Sequence, residues 1–313
     1  MLSYIVRRLF LTVPVMALVA IFVFLLLHLS PGDPAAIMAG DNATSENIAQ
    51  IRTKLGLDEP LWKQFGLWVF ALLRGDLGQS LFWGDPVTVL IGQRAEPTVS
   101  LALTTISFAV TVAITLGVVA AANPGTWIDR GVMGFAVMGF SLPVFVVGYM
   151  LIFLFAIDLK WLPVQGYTRF AEGFVPWLRN LVLPSLALGM AYVALIARIT
   201  RTTMLEVLAE DYIRTGKAKG VANRPLLLRH ALKNAAVPIV TVVGIGVALL
   251  IGGVVITETV FNIPGIGRLV VDAISRRDYP IVQGVIMMFA GIYVLVNLLV
   301  DLSYTLFDPR IRY

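Results

Sequence analysis

Cysteine is missing from this chain altogether, and histidine occurs only at His28 and His230. A disulfide framework, a thiolate metal site and a thiol nucleophile are therefore excluded, and so is a histidine-rich metal site. Charge is scarce as well: charged residues make up 14% of the chain against 58% hydrophobic, and the mean hydropathy of +0.86 lies outside the soluble globular range. This is the composition of an integral membrane protein. The net charge of +5 is too small and too scattered to imply a nucleic-acid partner. There is no phosphate-cradling loop either, because Gly216-Lys217 lacks the glycine five residues earlier and is followed by Ala218. With no Ser/His/Asp or paired-histidine arrangement, no catalytic residue, metal or bound cofactor is assigned to the chain.

What the chain does have is long uncharged runs. Six are long enough to cross a bilayer as helices, which takes about 20 residues. They are Leu9 to Leu27, Pro97 to Ala122, Gly131 to Ile157, Asn180 to Ala197, Asn234 to Thr257 and Tyr279 to Val300. Arg7 and Arg8 precede the first run, but its length and the lack of a prompt Ala-x-Ala site favour a retained anchor over a signal peptide. Counting Lys and Arg between the runs sets the orientation. With the N-terminus inside, the inside segments carry Arg7, Arg8, Arg130, Arg198, Arg201, Arg310, Arg312 and the six basic residues from Arg214 to Lys233, against only five acids when Asp301 is counted with the last run. Both termini are thus expected in the cytoplasm.

One inside segment stands out. From Glu206 to Lys233 the chain carries Glu206, Glu210, Asp211, Arg214, Lys217, Lys219, Arg224, Arg229 and Lys233. Good helix formers from Glu210 to Lys219, a left-handed stop at Gly220, a cap at Asn223 and Pro225 in the following first turn predict a helix, a glycine break and a second short helix. Such a loop suits a grip on another protein, or contact with anionic lipid. The first outside segment, about Ser30 to Glu96, is too long for a plain connection. Ser45 caps one expected helix ended by Gly56; Leu61, Phe65, Trp68 and Leu72 mark a second ended near Gly75, with Trp62, Trp68 and Trp83 at headgroup level. A packed lid and a docking surface are both consistent with it.

Within the membrane, Gly244, Ala248 and Gly252 recur at i, i+4 and i+8, a face for close helix packing or for a pathway. Pro143 frees the carbonyl of Gly139 and predicts a kink in the third run, whereas Pro184 is expected to open the fourth. Asp301, with Asn297 one turn earlier, is an acid at the end of the last run; the expectations are a functional group or a pair with Arg198 or Arg201.

These residues carry a resemblance over nearly the whole chain. Glu210-Asp211-Tyr212-Ile213-Arg214-Thr215-Gly216-Lys217-Ala218-Lys219-Gly220 with Leu228-Arg229-His230-Ala231-Leu232-Lys233-Asn234 resembles the coupling motif of ABC importer permeases, in the dipeptide/oligopeptide/nickel branch. Ser30-Pro31-Gly32-Asp33-Pro34, Gly75-Asp76-Leu77-Gly78-Gln79-Ser80, Asn262-Ile263-Pro264-Gly265-Ile266-Gly267, Arg277-Asp278-Tyr279-Pro280 and Asp308-Pro309-Arg310-Ile311-Arg312-Tyr313 resemble that branch too. The chain departs from the wider superfamily at two places: the superfamily has Glu-Ala-Ala in place of Arg214-Thr215-Gly216 and proline in place of Asn234.

The resemblance implies an all-α membrane protein of six transmembrane helices. Residues 1–92 would be an extra N-terminal helix plus the structured external segment, 93–306 a type I (MetI-like) permease core, and 307–313 a cytoplasmic tail. It implies a bacterial or archaeal inner membrane, a second related permease, ABC ATPase subunits that hold ATP and Mg, and an extracytoplasmic substrate-binding protein. Glu210, Asp211, Arg214, Thr215, Gly216, Gly220 and Arg224 would be the ATPase-coupling residues. Peptides are the implied cargo, with nickel, glutathione or sugars as alternatives. A secondary transporter, which calls for internal repeats and mid-membrane ionisable groups, finds neither here.

Overall fold

The computed structural model describes residues 2–29, 35–36, 44–54 and 56–307. The Ser30-to-Pro34 motif, residues 308–313 of the expected tail and the side chains of Arg7 and Arg8 lie outside the described residues. The described residues are helical, apart from loops and one isolated antiparallel bridge between Gln79 and Pro86. The helices are α1 (Leu2–Leu29), α2 (Ser45–Lys54), α3 (Leu61–Leu73), α4 (Val87–Ala122), α5 (Trp127–Ser141), α6 (Val144–Leu151), α7 (Phe174–Leu208), α8 (Asp211–Ala218), α9 (Asn223–Pro225), α10 (Leu232–Asn234), α11 (Ala236–Val260), α12 (Ile266–Arg276) and α13 (Tyr279–Phe307). Two compact units emerge, one of Met1–Ala95 with Arg268–Val294, the other of Glu96–Gly267 with Leu295–Tyr313.

Among the described residues four helices are each long and apolar enough to cross a membrane: α4, α7, α11 and α13. The pair Trp127–Ser141 and Val144–Asp158, bent by 106°, has the length and apolarity of a fifth span when its two halves are taken together, and α1 carries the apolar stretch Phe10–Leu26 that corresponds to the first expected run. Two spans start earlier than the uncharged runs did. Helix α4 begins at Val87 because Val87, Leu90 and Ile91 form a buried stripe before Arg94 and Glu96; an amphipathic turn continues a helix that a charge count cuts short. Helix α7 begins at Phe174, ten residues before Pro184, so Pro184 lies inside the helix and, contrary to the expectation from sequence, does not open it.

The third run breaks where a kink was expected. Leu142 is forced to an extended conformation (φ −91°, ψ 130°) by the proline after it, so α5 ends at Ser141 and α6 starts anew beyond Pro143. Helix α6 then widens into a π-helical turn, Ile152–Asp158.

In the second unit α7 is the organising element, 35 residues and so about 52 Å long, well beyond the ~30 Å hydrocarbon core. Leu181, Leu183 and Leu188 join Leu101, Val147, Leu250, Val254 and Ile263 in one buried cluster; Val193, Ile196 and Ala197 join Ala109 and Ala113 in a second. Close approach is set by glycines: a Cβ at Gly117 would lie 2.6 Å from Thr200 Cβ, and one at Gly253 the same distance from Leu188 Cδ1. The end of α7 is tied to α5 by a bidentate pair in which Arg201 donates to both carboxylate oxygens of Asp129, its Nη2 at 2.7 Å. In the first unit α3 lies on α1 through an aromatic cluster of Phe24, Phe65 and Trp68, ring centres 5.2 to 6.2 Å apart. Gly56 and Gly75, expected to end helices, adopt positive φ (67° and 79°) just beyond α2 and α3, while Ser45 is the first residue of α2 and not its cap.

Candidate functional site

The charged segment between α7 and α11 folds as a hook with a buried foot. Helix α8 is led in by Glu210 in an extended conformation (φ −66°, ψ 147°), whose side chain makes no capping bond. Its single buried side chain is Ile213, 0% exposed, which packs with Met204, Leu226, Ala231, Ala235, Ile239, Val118 and Ala121. Burying an isoleucine completely is worth about 1.5–3 kcal/mol, so the short helix is held by its foot and not by propensity. Around that buried foot Glu210, Asp211, Arg214, Thr215 and Lys217 are exposed.

The far end of α8 closes through backbone bonds. The Gly220 N–H donates to Lys217 O at 3.0 Å and the Val221 N–H to Gly216 O at 3.1 Å. Gly220 sits at φ +81° with nothing near its missing Cβ, so its role is conformational. Gly216 is different: a Cβ there would lie 3.2 Å from Leu226 Cδ1, so it is small to let the two arms of the hook approach. After the turn, Asn223 is the first helical residue and Ala222 holds the cap position, correcting the expected Asn223 cap. Pro225 does fall in the first turn, and Leu226–Ala231 continue as a π-helical turn before α10. Arg224 is exposed.

Arg214 and Asp211 meet at 3.3 Å, with side chains 72% and 94% exposed. A pair so open to water contributes little to stability, and both groups keep their hydrogen-bonding capacity for a partner. Burial raises the Tyr212 hydroxyl above its ordinary pKa and the Glu210 carboxylate adds to this, while a hydrogen bond with Asn234 opposes it. Asn234 also donates to His230 O at 2.7 Å, a bond that a proline there would not make.

The intramembrane candidates have different surroundings. A Cβ at Gly244 would collide with the Val300 side chain, which places Gly244 against α13 one turn from Asn297 and beside Asp301 in sequence. Gly252 faces open space, Ala248 is half-buried and Pro143 is exposed. On α11 the close approaches to α7 are instead made by Gly253 and by Gly246, whose Cβ would lie 3.4 Å from Tyr192 Cδ1. Of the two arginines considered for Asp301, Arg201 is committed to Asp129. Asn297 and Asp301 are half-buried.

Two buried acids escaped the sequence reading. Glu258, at the end of α11 and fully buried, accepts a 2.6 Å bond from Thr98 Oγ1, which itself accepts from the Ile266 N–H at 2.8 Å. Cβ atoms at Gly265 or Gly267 would run into this carboxylate, which explains the glycines of the 262–267 motif. Asp278 is likewise fully buried; it accepts from Ser80 Oγ at 2.5 Å, from the Leu81 N–H at 3.2 Å and from the Phe82 N–H at 3.1 Å. Each acid was visible only as one letter of a motif or as the charge that ended a run.

Comparison with known proteins agrees with this architecture. The family model described as binding-protein-dependent transport system inner membrane component matches residues 113–313, and a model for the N-terminal part of such components matches residues 1–102. A probable peptide ABC transporter permease of Sinorhizobium fredii is 58% identical over 310 residues, 99% of each chain. A putative peptide transport system permease of Brucella abortus is 44% identical over the full length of both chains, and the glutathione transport system permease GsiC of Salmonella choleraesuis 42% identical, again full length. Among solved structures, the methionine ABC transporter MetNI in an inward-facing conformation shares the fold at a TM-score of 0.57 and 15% identity, covering 71% of this chain and 97% of that one.

Proposed function

The chain belongs to the family of binding-protein-dependent transport system inner membrane components, and on that premise we propose that it is the permease half of an ATP-driven peptide importer. The observation that carries the reading is the hook: a face of exposed polar groups at Glu210, Asp211, Arg214, Thr215 and Arg224, fixed to the membrane helices by the buried Ile213. The hook faces the cytoplasm, as do both termini, and seats in an ABC ATPase that supplies ATP and Mg. A force applied there reaches α4, α7 and α11 directly, because their side chains form the packing around the foot. A second, related permease completes the path and an extracytoplasmic binding protein delivers the cargo.

Peptide cargo is supported by the names of the similar permeases, and glutathione, itself a small peptide, falls in the same class. The test is reconstitution with the cognate permease, ATPases and binding protein in liposomes, following labelled dipeptide. Uptake that needs ATP and fails with Arg214→Glu, while the variant still inserts, is the expected result. Uptake unchanged by ATP removal would make the chain a passive or ion-driven carrier instead.

A further inference from the structure

Helices α5 and α7 do not close on each other along their whole length. They come close at Gly139, where a Cβ would lie 3.2 Å from the Met190 carbonyl oxygen. Beside that point the small side chains of Ala136 and Ala194 form the floor of a groove of about 240 Å³, walled by Val137, Phe140 and Leu195. Arg198 stands at its edge. Unlike Arg201 one turn away, which is held by Asp129, Arg198 has no acid within ion-pair distance among the described residues, and its side chain is exposed. The uncharged run of α7 ends at Ala197, so this cation sits where hydrocarbon gives way to headgroups.

We propose that this groove holds an anionic phospholipid, its phosphate on Arg198 and the start of an acyl chain along Val137, Phe140 and Leu195. A guanidinium matches phosphate oxygens in a fork geometry, and the apolar walls match the chain below the headgroup. Basic pockets between membrane helices are recognised sites for such headgroups. The groove is also smaller than the ~300–1,000 Å³ typical of pockets that enclose a whole small ligand, which favours part of a lipid over an entire peptide. The assignment needs only that the chain spans a membrane, so it survives even if the proposed cargo is wrong.

The test uses the purified permease complex in detergent, with bound lipid counted by native mass spectrometry. Phosphatidylglycerol, phosphatidylcholine, inorganic phosphate and a dipeptide serve as probes. The expected result is retention of phosphatidylglycerol over phosphatidylcholine by roughly five- to tenfold. That preference disappears in Arg198→Gln, returns in Arg198→Lys, and falls in Ala194→Trp, which fills the groove while keeping the charge. A preference that persists in Arg198→Gln would overturn the site. Displacement by inorganic phosphate alone would reduce it to a bare anion site, and displacement by the dipeptide would assign the groove to the cargo path; either contradicts the proposal.

Discussion

Asp211 and Asp278 are the same residue put to opposite uses. Asp278 is fully buried and accepts from Ser80, Leu81 and Phe82, so its carboxylate is spent on closing one loop. Asp211 leaves its side chain 94% exposed and shares a single loose bond with Arg214. A buried carboxylate saturated by donors stabilises a turn and has nothing left to offer a partner. An exposed one on an anchored helix contributes little to folding and is available for recognition. Glu258 belongs with Asp278, and Glu210 with Asp211. The difference teaches that charge in this chain divides into latches and handles, and that burial, not sequence position, decides which is which.

The contrast can be broken most decisively at a latch. Asp278→Ala removes the acceptor shared by the buried Ser80 hydroxyl and the partly buried Leu81 and Phe82 N–H groups, at about 1–3 kcal/mol for each group left without a partner, and is expected to leave little protein in the membrane, read by immunoblot and thermal unfolding. Asp278→Asn, which keeps an acceptor, should recover part of it. Next come the handles: Gly220→Pro cannot adopt a φ of +81°, and it should abolish ATP-dependent uptake with normal membrane levels, the opposite signature to Asp278→Ala. Smaller again is Ile213→Ala, which removes the foot from under the hook at a cost of about 2–4 kcal/mol. It should speed amide exchange across Asp211–Ala218 and weaken ATPase stimulation without displacing the spans. Smallest is Gly252→Ala, whose Cβ meets nothing, against Gly244→Ala, whose Cβ meets Val300. The first should shift the unfolding temperature imperceptibly; the second should lower it.

Much of this was legible beforehand. Uncharged runs and a glycine at position 220 are statements about local preference, and local preference holds wherever no distant group intervenes: α8 and the positive φ of Gly220 lie where the sequence places them. The break at Leu142-Pro143 was legible only as a kink, because how far a proline bends a span depends on what packs around it. The stripe Gly244, Ala248, Gly252 was legible as a face, but what lies against it was not, for a related reason. Spacing identifies residues that share a face, yet not which neighbour lies opposite, and Gly253 and Gly246 turned out to be the ones against α7. Glu258 and Asp278 were invisible as latches since their donors, Thr98 and Ser80, are 160 and 198 residues away in the chain.

The central claim, that the hook is gripped by a separate ATPase, is tested most directly by site-specific cross-linking in the assembled complex. The chain contains no cysteine, so Lys217→Cys on the hook and Trp83→Cys in the other unit each introduce a unique thiol. The account predicts that a short thiol-reactive cross-linker joins the Lys217→Cys protein to the ATPase subunit, with a yield that changes between nucleotide-free and ATP-bound states, while Trp83→Cys gives no such product. Absence of any ATPase adduct from Lys217→Cys in a complex that still hydrolyses ATP and imports its cargo would contradict it.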